Sequence, residues 1–219
     1  MPAVTAGEPV GTVEEVRLDG VRVLVTSEPR GAHVHQVLLA RLLQGLLGDD
    51  STAADEDGLT GLTLDHDRLG RPTLVQRRTG AEANVGISFS HGLPRSWAAA
   101  ARGYRVGIDA AEEVDFTEAY PYRRVFTDLE LERVLSLHGG RLPSAAAYLW
   151  ATKEAAVKAL GHGFHSLDYR EVEVIARIPG GALLSAVSVR GLLVTAWARR
   201  ERSTWLAVAV AGPVVPQSI

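Results

Sequence analysis

Ionic side chains stand at helical spacing in the segment from residue 150 to residue 161. Glu154 and Lys158 lie four positions apart, so on a helix they share one face with Trp150. Taken alone, this spacing favours a surface ion pair worth about 0.2 to 0.5 kcal/mol, with Trp150 packed inward. A role in chemistry would require a second acidic group to converge with Glu154.

Asp109 is the first candidate for that second group. It follows Val106-Gly107-Ile108, where we expect an apolar strand to end. Strand ends often present catalytic groups to a cleft, although a single aspartate there is more often a turn former or a cap. Mg²⁺ needs only one or two protein carboxylates, with phosphate oxygens and water as its other ligands. Asp109 and Glu154 would therefore suffice for a magnesium site if the fold brings them together.

A histidine stands beside small hydroxyl residues in Ser88-Phe89-Ser90-His91. Such a histidine could donate hydrogen bonds to phosphate or carry a proton. A nucleophilic pair of Ser90 and His91 is disfavoured, because adjacent residues on a strand point to opposite faces. The sequence contains no Cys, which excludes thiolate nucleophiles and Cys-ligated metals. The nucleophile must come from another residue or from the substrate.

The composition is that of an ordinary soluble globular protein. The chain has 219 residues, of which 46% are hydrophobic and 22% charged. A net charge of −3 lacks the basic excess of a general nucleic-acid-binding protein. No apolar run approaches the roughly 20 residues of a membrane-spanning helix, and the first residues do not resemble a secretory signal. We therefore expect a cytoplasmic protein with no membrane or nucleic acid partner.

Hydrophobic periodicity predicts strands and helices along the whole chain. Asp19-Gly20 favours a tight turn within a strand or hairpin at residues 13–26. Helices are predicted at residues 37–47, 127–137 and 144–160, with Gly48 and Gly161 as C-terminal signals. Strands are predicted at residues 85–91, 96–101, 172–178, 191–199 and 204–211, and before Asp109. Residues 49–61 are predicted to form a surface loop.

Two segments about half the chain apart are similar to each other. Ser96-Trp97-Ala98-Ala99-Ala100 resembles Thr204-Trp205-Leu206-Ala207-Val208. One hypothesis is a duplicated α+β half, and the alternative is a chance similarity between two alanine-rich strands.

Four motifs occur in an order that is typical of one enzyme family. They are Gly70-Arg71-Pro72, Ser88-Phe89-Ser90-His91, Val106-Gly107-Ile108-Asp109, and the helix carrying Trp150, Lys153, Glu154, Lys158 and Gly161. In this order they resemble the Sfp-type 4′-phosphopantetheinyl transferases. The resemblance implies transfer of the phosphopantetheine arm from coenzyme A to a serine of an acyl or peptidyl carrier protein, with release of adenosine 3′,5′-bisphosphate. The nucleophile then belongs to the partner.

The resemblance also implies the fold. The family has two similar α+β halves in a pseudo-twofold arrangement, with coenzyme A and Mg²⁺ in the cleft between them. We place the N-terminal half at residues 1–106 and the C-terminal half, with the metal-site motifs, at residues 107–219. The similarity around Trp97 and Trp205 agrees with this architecture. We expect a monomer.

By the same resemblance, the catalytic residues are Asp109, Glu154 and Lys158. Asp109 and Glu154 are expected to hold Mg²⁺ on the pyrophosphate, and Lys158 to contact a phosphate. Glu154 is also the expected acceptor for the proton of the carrier serine. The residues expected to bind coenzyme A are Arg71, Ser90, His91, Lys153 and Lys158.

The sequence departs from the family pattern at the metal motif. The family has Gly-Ile-Asp-x-Glu, whereas this chain has Ala111 at the position of the second acid. Water could fill that position, Glu112 or Glu113 could reach in, or the activity could be lost. Arg30, His33 and His35 stand where the family often has a more basic helix, and His162 replaces the lysine of a Gly-Lys-Gly turn.

The sequence allows two interpretations for some charged residues. Glu130 resembles a family acid near the active site, although the first turn of a helix favours an acid there without any function. Arg123, Arg124 and Arg141 are candidates for contact with an acidic carrier protein, or form a solvated face. The alternative to a transferase is a non-catalytic or repurposed relative that binds carrier protein or coenzyme A.

Overall fold

The computed structural model describes residues 11–47, 61–92, 94–164, 166–176 and 183–214. Eleven strands are found in these residues: β1 (Val13–Leu18), β2 (Val21–Pro29), β3 (Leu62–His66), β4 (Pro72–Gln76), β5 (Val85–His91), β6 (Arg95–Arg102), β7 (Tyr104–Glu112), β8 (Val172–Ala176), β9 (Leu183–Val189), β10 (Leu192–Glu201) and β11 (Thr204–Pro213). The helices are α1 (Val34–Leu47), α2 (Tyr122–Val125), α3 (Asp128–Leu137) and α4 (Leu142–Ala159).

The strands form two antiparallel sheets and a separate hairpin. The first sheet has the order β1-β2-β6-β5, and the second has the order β7-β11-β10-β9-β8. β3 and β4 pair only with each other. The predicted α+β class is confirmed. The chain passes between the two sheets at Gly103, between β6 and β7, close to the predicted division after residue 106. The pseudo-twofold relation of the two halves stays a prediction.

The layers follow from the alternation of side chains along the strands. Ile108 on β7 and Leu206 on β11 face Val23 and Ala99 of the first sheet, so the two sheets share one apolar core. The opposite face of the first sheet packs against α1 through residues such as Leu42. The opposite face of the second sheet packs against α4. The layer order is therefore helix, sheet, sheet, helix.

The first hairpin forms as the sequence predicts. Asp19 and Gly20 have φ angles of 48° and 80°, and they join β1 to β2 with Leu18 paired to Val21. Two consecutive positive φ angles are typical of a two-residue turn whose twist matches that of the strands. Glycine at the second position adopts this conformation without steric cost.

Helix α4 lies unusually close to strand β7. A Cβ atom on Gly107 would lie 2.0 Å from the carbonyl oxygen of Ala155 and 2.6 Å from the amide nitrogen of Ala159. The helix presents small buried residues to the strand, including Ala155 and Ala159. A side chain at position 107 would push the helix away from the strand. Gly107 thus brings the polar residues of α4 close to Asp109, two residues along β7.

Some predicted elements differ from the structure. β7 does not end at Asp109 but continues to Glu112, because β11 pairs with it as far as Thr204. The expectation of a strand-end aspartate is therefore wrong. Strands β3, β4 and β9 were not predicted. The predicted strand at residues 172–178 is observed as far as Ala176. The C-terminal signal Gly48 and nearly all of the loop at residues 49–61 lie outside the described residues.

No helix in the described part of the chain is long and apolar enough to cross a membrane.

His138 lies at the C-terminal end of α3 in an aromatic environment. Its ring packs edge-on against Trp205, with 4.8 Å between ring centroids, and lies 5.2 Å from Tyr148. Its Nε2 atom is buried without a hydrogen-bond partner among the described residues. Burial and, to a smaller extent, the charge of Arg200 lower its pKa to about 4, although Glu113 opposes this shift.

We expect His138 to make the fold sensitive to acid. A histidine whose pKa is lower in the folded protein than the ordinary 6.5 costs stability as the pH falls from about 6.5 to about 4. After allowance for partial exposure, the cost is about 1 to 2 kcal/mol. His138→Phe should remove this part of the acid loss in urea unfolding at pH 7 and pH 4.5. The exposed His66→Gln variant is the control, and equal acid loss in His138→Phe would contradict the prediction.

Candidate active site

Two serines join the edge strands of the two sheets beside the candidate site. The hydroxyl of Ser88 accepts the amide N–H of Ile108 at 3.1 Å, and the hydroxyl of Ser90 accepts that of Ala110 at 3.0 Å. Both serines are on β5, and both amides are on β7. Because β5 and β7 are not paired within one sheet, the hydroxyls satisfy β7 donors that the ladder leaves open.

Asp109 lies at this joint. Its Oδ1 atom accepts hydrogen bonds from the hydroxyl of Ser90 at 3.0 Å and from Nζ of Lys158 at 2.7 Å. The residue is only 8% exposed. Burial raises its pKa, whereas Lys158 and Ser90 partly oppose the shift. A buried carboxylate of this kind needs the positive charge that Lys158 supplies.

Lys158 connects Asp109 to the cleft. Its ammonium group also donates to the carbonyl oxygen of Ile108 at 3.1 Å. Two of its three N–H groups are thus used within the protein, and the side chain remains 31% exposed. The third N–H is available to a ligand.

Glu154 lies one turn before Lys158 on α4. Among the described residues, its carboxylate has no hydrogen-bond or ion-pair partner, and Lys158 pairs with Asp109 instead. The surface ion pair between Glu154 and Lys158 is therefore not formed. Burial and then the charge of Asp109 raise the pKa of Glu154 to about 7, although Lys158 acts in the other direction. Two acidic groups and one ammonium group thus interact at one place.

A cleft of about 400 Å³ opens beside these groups. Glu154, Lys158, Arg71 and Phe89 are among its lining residues. Arg71 is held by a hydrogen bond from its Nε atom to Asp67 at 3.1 Å. A Cβ atom on Gly161, which has a φ angle of 76°, would lie 3.0 Å from Arg71 Nη1. Gly161 thus both ends the helix and leaves room for the arginine.

His91 contacts a second histidine at the cleft. Its Nε2 atom lies 2.9 Å from Nε2 of His35, which lines the cleft, and its Nδ1 atom lies 3.0 Å from the hydroxyl of Ser96. The rings of His35 and His91 are stacked at a centroid distance of 4.8 Å. Burial is the main cause that lowers the pKa of both. The pair is therefore mainly neutral near pH 7.

Part of the chain, including several of these residues, is similar to known proteins. The family model described as the 4′-phosphopantetheinyl transferase superfamily matches residues 105–205. A holo-[acyl-carrier-protein] synthase of Streptococcus thermophilus (strain ATCC BAA-491 / LMD-9) is 32% identical over 90 residues, which cover 39% of this chain and 76% of that protein. The chain belongs to the 4′-phosphopantetheinyl transferase superfamily. The resemblance found in the sequence is thereby confirmed.

A second relative of this transferase is a holo-[acyl-carrier-protein] synthase of Streptococcus suis (strain 05ZYH33). It is 27% identical over 121 residues, which cover 53% of this chain and 92% of that protein. The family model covers Asp109, Glu154 and Lys158, whereas Arg71 and His91 precede the matched region.

Lys153 of the transferase does not lie at the cleft. It is completely buried, and its ammonium group donates to Glu130 at 2.9 Å and to the carbonyl oxygens of Val125 and Tyr169 at 3.1 and 3.0 Å. All three N–H groups are therefore used inside the core. We withdraw the expectation that Lys153 binds coenzyme A.

Glu130 is likewise part of the core. Besides Lys153, it accepts the amide N–H of Val174 at 2.8 Å and that of Thr127 at 2.9 Å. Thr127 and Glu130 form a capping box at the start of α3. The structural interpretation of Glu130 is therefore the one that the contacts support.

The acids after Ala111 do not replace the missing metal ligand. Ala111 is buried in the core between the second sheet and α4. Glu112 accepts from the hydroxyl of Thr204 at 2.5 Å, and Glu113 accepts from Arg141 and Arg200. No cluster of three acidic, histidine or cysteine residues that could hold a metal is found in the described ranges.

The structure thus divides the predicted site residues into three groups. Glu154, Lys158 and Arg71 line one cleft, and Lys158 connects it to Asp109, which is not a lining residue. Ser90 and His91 lie next to them, but the Ser90 hydroxyl is used in the joint with β7. Sequence reasoning missed the role of Ser88 and the pairing of His35 with His91. The alternation of Ser88 with Ser90 was a usable signal for the first, whereas His35 is 56 residues from its partner.

Proposed function

We propose that this protein transfers the 4′-phosphopantetheine arm of coenzyme A to a serine of an acyl or peptidyl carrier protein. The reaction is Mg²⁺-dependent and releases adenosine 3′,5′-bisphosphate. The observation that carries the proposal is that Glu154 and Lys158 line one cleft, with Lys158 bonded to the buried Asp109, in a member of this superfamily. The two relatives named holo-[acyl-carrier-protein] synthase support the carrier protein as acceptor.

The donor set suits a hard divalent cation. Glu154 is a partly buried carboxylate without a protein partner among the described residues, and burial and then the charge of Asp109 raise its pKa. Mg²⁺ takes one or two carboxylates and completes its octahedron with phosphate oxygens and water. Asp109 and Glu154 would hold the ion. When bound, Mg²⁺ neutralises negative charge on the pyrophosphate and on the leaving group.

The remaining groups of the cleft bind and orient the anionic substrate. Lys158 keeps two N–H groups on Ile108 and Asp109 and offers the third to a phosphate oxygen. Its position is fixed by these two bonds, so its charge is already oriented before the substrate arrives. Arg71, fixed by Asp67, supplies a second cation on the wall of the cleft.

The transfer replaces a phosphoanhydride bond of coenzyme A by a phosphoester bond to the carrier serine. The serine oxygen of the carrier forms a bond to the phosphorus of the phosphopantetheine group. The bond from that phosphorus to the bridging pyrophosphate oxygen breaks, and adenosine 3′,5′-bisphosphate leaves with the electron pair. The serine proton passes to Glu154, which lines the cleft and has no hydrogen-bond partner among the described residues.

The test is intact-protein mass spectrometry of a panel of apo carrier proteins. Each is incubated with this protein and coenzyme A, with Mg²⁺ present or removed by a chelator. A Mg²⁺-dependent gain of one phosphopantetheine on a carrier is expected. If no carrier gains mass, the proposal of transfer is overturned.

One observation favours a second candidate function. Ala111 occupies a buried position on β7 where the family pattern has an acid, so the metal site lacks one carboxylate. A non-catalytic relative would bind coenzyme A or carrier protein without turnover. Calorimetry that detects such binding in the absence of any mass gain would identify this case.

Ser90 is expected to act as a positioning residue for Asp109. Ser90→Ala removes a hydrogen bond to the carboxylate, so we expect turnover to fall about tenfold and the Mg²⁺ concentration for half-maximal rate to rise. Ser88→Ala is the matched control, because it also loses a hydroxyl that accepts from β7 but does not touch Asp109. Each variant should lose about 1 to 3 kcal/mol of stability. Equal Mg²⁺ dependence in the two variants would refute the role.

Arg123 and Arg124 are the better candidates for contact with the carrier protein. Both are exposed on α2, whereas Arg141 is paired with Glu113. Reversal of both charges to glutamate is expected to weaken carrier binding about tenfold at low salt, because acidic carriers are attracted by positive charge. Surface plasmon resonance at two salt concentrations measures this. Unchanged affinity would show that the arginines form only a solvated face.

A further inference from the structure

A second cavity lies next to the candidate active site. Its volume is about 210 Å³, and it shares Arg71, Pro72, Ile87 and Lys158 with the cleft described above. Arg105, at the start of β7, and Glu82 line only this second cavity. The volume is below the range of about 300 to 1,000 Å³ that is usual for drug-sized ligands. A small ion fits this space better than a nucleotide does.

Arg105 is the group in this cavity whose hydrogen bonds are least satisfied. Its Nη1 atom donates to the carbonyl oxygen of Leu160 at 3.4 Å, which is long for a hydrogen bond. Its Nε atom is buried and has no hydrogen-bond partner among the described residues. Within those residues, no carboxylate lies close enough to form a salt bridge with Arg105. A buried donor of a charged group is costly unless an acceptor reaches it.

Arg105 is the cation of the cavity lining that has no salt-bridge partner in the part of the chain that the structure describes. Arg71 and Lys158 are compensated by Asp67 and Asp109, respectively. Arg105 has no such compensation, and Glu82 is the one carboxylate among the lining residues. Guanidinium groups bind oxyanions through two parallel hydrogen bonds, which makes arginine a frequent ligand of phosphate.

We propose that this cavity is a second anion site, in which Arg105 binds a small phosphate-class oxyanion. The cavity shares Arg71 and Lys158 with the cleft where the coenzyme A phosphates are expected, but Arg105 and Glu82 line only the cavity, so an anion held by Arg105 occupies a separate position. It therefore does not depend on the proposed transferase activity.

The decisive measurement follows the Nε–H group of Arg105. The side-chain Nε–Hε resonance of Arg105, assigned by its absence in Arg105→Lys, is observed by ¹⁵N NMR while inorganic phosphate is added at constant ionic strength. The cleft is first saturated with coenzyme A, so that phosphate binding there is blocked. A saturable shift of the Arg105 signal is expected. A signal that does not move with phosphate would overturn the proposal.

The variants test the same site by calorimetry with inorganic phosphate. Arg105→Gln should weaken binding about tenfold or more, since a charge-assisted pair is lost. The exposed Arg78→Gln variant is the matched control and should bind as the unmodified protein does. Glu82→Gln should tighten binding severalfold, because it removes the opposing carboxylate. If Arg105→Gln does not fold, the NMR titration of the unmodified protein still decides.

Two further outcomes separate the proposal from its alternatives. Acetate at the same ionic strength should shift the Arg105 signal much less than phosphate, and an equal effect would refute the assignment to phosphate. If coenzyme A fails to bind but the Arg105 signal still saturates with phosphate, the proposed function is wrong and the anion site stands.

Discussion

Replacement of Glu154 by glutamine is expected to abolish phosphopantetheine transfer while the chain stays folded. The change removes one negative charge and a proton acceptor but keeps the size of the side chain. We expect the rate to fall by about 10³-fold, which lies within the range reported for loss of general acid–base groups. Intact-protein mass spectrometry of the carrier measures the rate, and the exposed Glu132→Gln variant on α3 is the control.

Stability should change little in this variant. Among the described residues, the Glu154 carboxylate makes no hydrogen bond or ion pair that the amide would lose. Thermal unfolding should therefore give a midpoint within a few degrees of the unmodified protein. Full activity in Glu154→Gln would show that neither metal binding nor proton transfer depends on this residue. Asp109→Asn provides a second test, although it also breaks the ion pair with Lys158.

The sequence predicts the parts of the fold that local signals determine. The turn at Asp19-Gly20 and the long helix α4 have strong local signals, and both are found as expected. Strands β3 and β4 were missed because each has only five residues and pairs only with the other, whereas β9 depends on its pairing with β8 and β10. The extension of β7 beyond Asp109 depends on pairing with β11, nearly a hundred residues away.

In the candidate site too, the sequence predicts some features, whereas others depend on tertiary contacts. Motif order was sufficient to connect Asp109 with Glu154, but it did not reveal that Lys158 pairs with Asp109 rather than with Glu154. That choice depends on the close approach of α4 to Gly107, which is a tertiary contact. Because Lys158 pairs with Asp109, Glu154 has no ion-pair partner among the described residues.

The error for Lys153 has a physical cause that helical geometry makes clear. Lys153 and Lys158 are five residues apart, so they point about 140° away from each other on the helix. A motif that includes both lysines therefore cannot direct both into one cleft. Lys153 instead reaches Glu130, which is 23 residues earlier in the chain. Helical periodicity alone places the two lysines on different faces of the helix. It does not identify Glu130 as the partner of Lys153.

Lys153→Met is expected to destabilise the fold by about 3 to 5 kcal/mol. The substitution leaves Glu130 as an uncompensated charge in a fully buried site, which is the situation in which loss of one partner costs most. Burial lowers the pKa of Lys153 and Glu130 opposes that shift, so each group depends on the other. Urea unfolding measures the loss. The double variant Lys153→Met/Glu130→Gln should recover more than half of it, because glutamine can still accept the amide N–H of Val174.

Lys158→Met on the same helix is the matched comparison. Lys158 is partly exposed but neutralises the buried Asp109, so its loss should cost about 1 to 3 kcal/mol of stability, less than the loss of Lys153, while abolishing transfer. In contrast, folded Lys153→Met protein should keep an unchanged KM for coenzyme A and should have reduced stability. If Lys153→Met instead raises that KM and leaves the unfolding free energy unchanged, Lys153 is a coenzyme ligand and its role in the core is refuted. The two lysines of one motif thus separate binding from stability in a single pair of experiments.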